Sequence, residues 1–208
     1  MADEGEHKLI TIPEFKVKYN DVFSLRNLYL MMRTTLLEEG WSGPDGSDDG
    51  QDFETYYSEN MFQKGGHRGG KEMWVYWRVR KNFGPAGRQN WYFRNQLEID
   101  MHMVYMENIE VVHMGKKMTA QKGEIEFFFR PYLIGDVGGK WGSHKLLKHI
   151  RHIYEDRIMR VEVEKKEKDL WREAYRIQTR IKQYLELRNF AVVPEPFHAK
   201  RFGFEGSL

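Results

Sequence analysis

The chain of 208 residues contains no cysteine. Disulfides, cysteine-ligated zinc, iron–sulfur clusters and a thiol nucleophile are therefore excluded. Proline is scarce at 6 residues, and neither proline nor glycine occurs between Ser143 and Leu187, so nothing in that stretch interrupts a helix. Long apolar runs are lacking as well. The runs present, such as Phe127-Phe128-Phe129, fall far short of the roughly 20 residues needed to span a bilayer. The acidic start Met1-Ala2-Asp3-Glu4-Gly5-Glu6 has neither the basic residues nor the apolar stretch of a secretory signal, and the expectation is a soluble, cytoplasmic protein.

Bulky packing material is abundant: 13 Phe, 11 Tyr, 6 Trp and 11 Met. At this length such a chain buries a sizeable core without a disulfide or a structural metal, so one domain is expected. Its 33 basic and 31 acidic residues nearly cancel but are segregated along the sequence. Residues 1–60 carry 5 basic and 13 acidic side chains, residues 61–94 carry 8 and 1, and residues 140–183 carry 13 and 7. A basic block attracts phosphate backbones, or is neutralised by the acidic block of the same chain or of a second copy.

Alternation over residues 8–18 predicts a first strand, which Pro13 places at a sheet edge. Ser24 as N-cap, the stripe Leu25, Leu28, Tyr29, Met32 and Leu36, and a stop at Gly40 predict a helix. Residues 42–52 read as an acidic loop, residues 53–62 as one or two helical turns, and the glycine cluster 65–70 as a loop. Four strand-like segments follow at 71–81, 91–106, 109–114 and 117–134; their short turns make an antiparallel meander rather than a parallel crossover sheet. Residues 143–187 predict a helix of about 66 Å if unbroken. Its two apolar stripes are Leu147, Ile150, Tyr154, Ile158, Val161 and Leu170, Ala174, Ile177, Ile181, Tyr184. Between them, at residues 162–169, lies a charged run where the helix breaks or crosses solvent, with the distal part projecting. Residues 189–208 read as a loosely ordered tail. The expected fold class is α+β, one domain over residues 1–188. An antiparallel meander sheet carries an N-terminal helix and a long C-terminal helix, in strand-helix-strands-helix order.

Signals for chemistry are each opposed by a plainer reading. Gly135 to Ser143 lies between a strand and a helix, where backbone N–H groups cradle phosphate, but Gly135 and Gly139 enclose three residues and Trp141 follows Lys140, so the Walker pattern fails. His149, His152 and Asp156 share a helical face at metal-ligand spacing, yet Lys148, Arg151 and Arg157 surround them. Those histidines, His102 and His113 are acid–base candidates without a marked nucleophile. Glu98 and Asp100, and Glu124 and Glu126, are carboxylate pairs of the kind a hydrolase uses, and equally what a wet sheet face carries. No catalytic residue, metal or cofactor is assigned. The strongest signal outside the core is Trp74, Tyr76, Arg78 and Arg80 on one strand face, with Tyr92 and Arg94 on the neighbouring strand. Aromatics beside cations are the recipe of a single-stranded nucleic-acid platform, and also of packed rings with arginine stems over them.

This order of elements, over residues 8–187, resembles the helix-grip superfamily of START-domain and polyketide-cyclase-like proteins. The resemblance implies a sheet curled round the long helix with an apolar cavity for a small ligand between them. Three readings result: a non-catalytic protein binding a small apolar ligand in that cavity, a nucleic-acid or ribonucleoprotein module using the basic aromatic face, and an adaptor. The adaptor would bind a partner, or form an oligomer, through Leu170, Ala174, Ile177, Ile181 and Tyr184 of the C-terminal helix.

Overall fold

The computed structural model of the protein describes residues 6–44, 53–61, 70–83, 92–113 and 116–187. The acidic loop from residue 45, the glycine cluster up to Gly69, the turn around Gly84 and the tail from residue 188 lie outside the described residues. The strands are β1 (His7–Thr11), β2 (Phe15–Phe23), β3 (Glu54–Met61), β4 (Lys71–Asn82), β5 (Phe93–His113) and β6 (Lys116–Gly135). The helices are α1 (Leu25–Glu38), α2 (Leu147–Ile153) and α3 (Arg160–Tyr184), with a π-helical turn, Tyr154–Ile158, between the last two. All strand pairs are antiparallel, in the order β1-β6-β5-β4-β3, and β2 also pairs with β6. The α+β class and the long C-terminal helix thus stand as the sequence predicts.

Several boundaries differ for physical reasons. The single strand expected over 8–18 is two: Pro13 offers no N–H to the ladder, and the chain resumes as β2 beside a different stretch of β6. The turns expected at 53–62 are instead the edge strand β3. Its Thr55, Tyr56 and Tyr57 suit extended backbone, and its register against β4 pairs Tyr56 with Tyr76 and Ser58 with Trp74. The segments expected at 91–106 and 109–114 are one strand, β5, whose register shifts between Val104 and Glu107, where Tyr105 has φ 57°. Two neighbours make room for that bulge by having no side chain. A Cβ on Gly70 would lie 2.5 Å from the Tyr105 Cα, and one on Gly123 would lie 2.6 Å from the Met106 sulfur.

One face of the sheet makes the core. Val75, Trp77 and Val79 of β4, Leu97, Ile99 and Met101 of β5, and Ile125, Phe127 and Phe129 of β6 alternate inward, and Leu28, Met32 and Leu36 of α1 pack on them. The Ser24 Oγ caps α1 by accepting from the Asn27 N–H, and Gly40, at φ 79°, ends it. Along α3, Leu170, Ala174, Ile177 and Ile181 are each no more than 1% exposed, so the distal half lies on the domain instead of projecting. Polar ties hold it there: Lys81 Nζ to Glu173 at 2.8 Å, Arg176 to Glu39 at the C-cap of α1 at 2.6 Å, and the Tyr184 hydroxyl donating to the Ser24 carbonyl.

The C-terminal helix breaks, but before the charged run. A π turn inserts one residue, so the inward face steps five positions from Tyr154 to Met159, then four to Val163. From Arg160 onward the helix is continuous through 162–169, with Lys166 lying over the Phe83 ring at 3.6 Å and the Phe93 ring at 5.4 Å. The step splits the expected proximal stripe: Leu147 and Tyr154 are half-buried, whereas Ile158 and Val161, past the turn, are 70% and 80% exposed, and Ile150 is 49% exposed.

Because Ile177 is buried between the sheet and α1, Ile177→Ala is expected to lower unfolding free energy by about 2–5 kcal/mol. Urea denaturation with an unchanged slope is the check.

Candidate interaction face

Strand periodicity sends every second residue of the sheet away from the helices. On β4 these are Glu72, Trp74, Tyr76, Arg78 and Arg80, opposed on β5 by His102, Asp100, Glu98 and Gln96. Glu126, Phe128, Arg130 and Tyr132 of β6 continue the face, and Lys16 and Lys18 of β2 end it. Among the described residues, α1 and α3 pack on the opposite side. Trp74, Tyr76, Arg78 and Arg80 therefore share one half-buried, outward surface.

The rings on this face pack against one another. Tyr56 stacks on Tyr76 at 4.8 Å, Trp74 stacks on His102 at 3.7 Å, and Trp74 meets Tyr76 edge-on at 6.2 Å. The Arg78 guanidinium lies 5.2 Å from the Tyr76 ring. The result is a band from the β3 edge to β5 in which ring faces are largely occupied by other rings.

The charges on the face are also internally matched. Asp100, 8% exposed, accepts from Arg78 Nη1 at 2.6 Å and from Arg130 Nη2. Arg130 reaches Glu14 at 3.3 Å and Glu98 at 3.5 Å as well. Lys18 bridges Glu124 at 2.5 Å and Glu126 at 3.3 Å, and His102 Nε2 is 2.7 Å from Glu72. The two carboxylate pairs singled out in the sequence are thus each engaged by a cation. Among the described residues Lys8, Lys16, Lys18, Arg78, Arg80 and Arg130 are balanced by Glu14, Glu72, Glu98, Asp100, Glu124 and Glu126. A recess of about 240 Å³ opens between Pro44, Thr55, Arg78, Arg80, Gln96 and Glu98, and its arginine Nη1 of residue 80 donates to the Pro44 carbonyl at 2.8 Å.

Tyr92 and Arg94 are not part of this surface. Both are buried, at 1% and 6% exposure: the Tyr92 hydroxyl donates to Glu155 at 2.5 Å and Arg94 Nη2 is 2.5 Å from Glu6. The adaptor stripe Leu170, Ala174, Ile177 and Ile181 is buried against the chain's own sheet, and Tyr184 is half-buried on α1's cap, so this stripe presents no seam to a partner. The expected ligand cavity would lie in the same layer. Leu97, Ile99, Phe127, Phe129, Leu170 and Ile181 of that layer are 0% exposed and belong to one packed cluster. The glycine-rich connection is closed from within: Asp136, itself 1% exposed, accepts from the Trp141 and Gly142 N–H groups, with Arg151 3.6 Å away. A side-chain carboxylate occupies the place an anion would take. His152 pairs with Asp156 at 2.9 Å on an exposed helix face, His149 is exposed beside them, and no group of three or more His, Asp or Glu able to hold a metal occurs among the described residues.

The sequence carried no sign of one cluster. The π turn points Glu155 inward, where it accepts from Tyr92 and lies 3.1 Å from His7 Nε2. Burial pushes the Glu155 carboxyl up, but the His7 and Tyr92 hydrogen bonds, with the charges of His7 and Arg151, outweigh it and hold the group below the usual carboxylate range. Burial and the Glu155 carboxylate together push the Tyr92 phenol far up. Tyr56 and Arg130 were also missed, and His102 was read only as an acid–base candidate, because only strand register shows which residues face Trp74 and Asp100.

No protein-family model matches the chain, and no curated protein matches it in sequence.

Asp100→Ala leaves Arg78 and Arg130 side by side without their shared carboxylate, and is expected to cost about 1–3 kcal/mol in urea unfolding. For Glu155, a folded pKa below the unfolded value stabilises at neutral pH, and that contribution is lost as pH falls through the lowered value. Glu155→Gln is therefore expected to lower stability at neutral pH by roughly 1–3 kcal/mol. It should also flatten the acid-side decline, so that wild type and variant converge once the pH falls below the lowered value; unequal losses at neutral and acid pH are the readout.

Proposed function

We propose that this protein is a non-catalytic docking module that binds a protein partner through the outward face of its sheet. The observation that carries the reading is the band Tyr56, Tyr76, Trp74 and His102 beside Arg78 and Arg80 on a face that the described helices leave uncovered. Aromatic and arginine side chains supply most of the binding energy at protein interfaces, where they are ringed by polar groups of both signs. Two features favour protein over nucleic acid. Rings already stacked on one another offer edges, whereas a base needs an open ring face. Cations already matched by carboxylates have less to gain from phosphate, and a strand laid across the face would run beside Glu98, Asp100, Glu124 and Glu126.

The nucleic-acid alternative rests on the same four residues, Trp74, Tyr76, Arg78 and Arg80, sharing one surface. A photo-crosslinking amino acid at position 56 or 74, with Thr179 on the exposed side of α3 as the control site, separates the two in cells. The expected result is a discrete adduct from positions 56 and 74 that protease removes and Arg80→Glu abolishes. An adduct removed by nuclease, or binding to single-stranded RNA that Trp74→Ala and salt both weaken tenfold or more, would replace the protein reading with the nucleic-acid one.

A further inference from the structure

Thirteen large hydrophobic side chains are prominently exposed among the described residues, and five fall within sixteen positions: Leu146 at 73%, Ile150 at 49%, Ile153 at 54%, Ile158 at 70% and Val161 at 80%. Leu146, Ile150 and Ile153 follow one another at helical spacing along α2, flanking the half-buried Leu147 and Tyr154, of which Tyr154 packs against the core. Ile158 and Val161 extend the ridge past the π turn, where the inserted residue has rotated them out of the core. Residues 140–160 carry six lysines and arginines against two carboxylates, Glu155 and Asp156. Glu155 is turned inward to His7 and Tyr92, Arg151 lies beside Asp136 and Arg160 pairs with Glu164, which leaves Lys145, Lys148 and Arg157 as the exposed cations along the ridge.

We infer that this ridge is a surface-lying anchor that seats the protein on an anionic lipid bilayer, with the aliphatic side chains in the acyl boundary and Lys145, Lys148 and Arg157 at the phosphates. Charge complementarity selects the occupant. A second copy of the same ridge would bring two positive surfaces together, so self-association is opposed. The ridge is one helix wide and its apolar side chains are all aliphatic, without the Trp or Tyr anchors that dominate protein interfaces, whereas a lipid surface conforms to such a stripe. Long lysine side chains reach headgroups while their stems lie along apolar surface. No helix among the described residues is long and apolar enough to cross a membrane, and α2 is placed to lie on one.

The test is sedimentation of the full chain with vesicles of phosphatidylcholine alone and of phosphatidylcholine with about one third phosphatidylglycerol, each at low and high salt. Binding is expected only to the anionic vesicles and is expected to weaken in salt. Ile150→Glu with Ile153→Glu, both at exposed positions, should reduce it at least tenfold, and Lys145→Ala or Lys148→Ala about fivefold each, the worth of one basic residue near an anionic surface. Leu30→Glu, exposed on α1, should leave it unchanged, and circular dichroism confirms that each variant is folded. No sedimentation with either vesicle overturns the proposal. So does binding indifferent to the Ile150 and Ile153 substitutions, which would mark adsorption by charge alone, and so does binding that Leu30→Glu reduces as much. None of these outcomes bears on the sheet-face reading, which uses different residues.

Discussion

The burial of one apolar stripe of α3 against one face of a single sheet sets the rest of the structure. Leu170, Ala174, Ile177 and Ile181 seal the inner face with α1, which fixes the layer count at two among the described residues. Among the described residues no helix covers the outer sheet face. Period-2 alternation places a polar or aromatic side chain at most outer positions, and an unpaired charge next to half-buried rings would be costly there. The network of Asp100, Arg78, Arg130 and Glu98 answers that constraint, since each group gains a partner without leaving the surface. Selection for a wet face thus also produces the aromatic and charged composition of a docking surface.

How much was legible in the sequence follows from the range of the interactions involved. Local patterns carried α1, with its Ser24 cap and Gly40 stop, and the alternation of β4, because both depend on neighbours within a few residues. Strand β3 was not legible. An exposed edge strand has no buried face to impose alternation, and its extended state rests on pairing with β4. Tyr92 and Arg94 were assigned to the right neighbourhood but at the wrong depth. Parity places Arg94 on the outer side, yet Glu6 and the π turn close over that end of the sheet, and nothing local in the sequence records contacts made 63 and 88 residues away.

The inserted residue of the π turn links two features that otherwise look independent. In an uninterrupted α-helix the inward face would run from Tyr154 to Ile158 and Val161, and Glu155 would point elsewhere. The extra residue brings Glu155 onto His7 and Tyr92, ties the helix to both β1 and the start of β5, and puts Met159 and Val163 in phase with the stripe of α3. The same rotation exposes Ile158 and Val161. A hydrophobic stripe read from periodicity is therefore converted into a surface ridge by one residue of register.

Charge is used differently on the two surfaces, and this sets what each can bind. On the sheet face, Arg78, Arg130 and Lys18 meet carboxylates at contact distance and the remaining cations are offset in number, so attraction at long range is weak and recognition rests on shape and on the rings. On the α2 ridge Lys145, Lys148 and Arg157 are exposed beside aliphatic side chains that carry no directional information. A surface with geometry and little net charge suits a partner of defined shape, whereas a surface with net charge and little geometry suits a fluid, anionic one. Because the two surfaces draw on separate residues, a protein bound through the sheet face and a bilayer held at α2 need not compete for the same side chains.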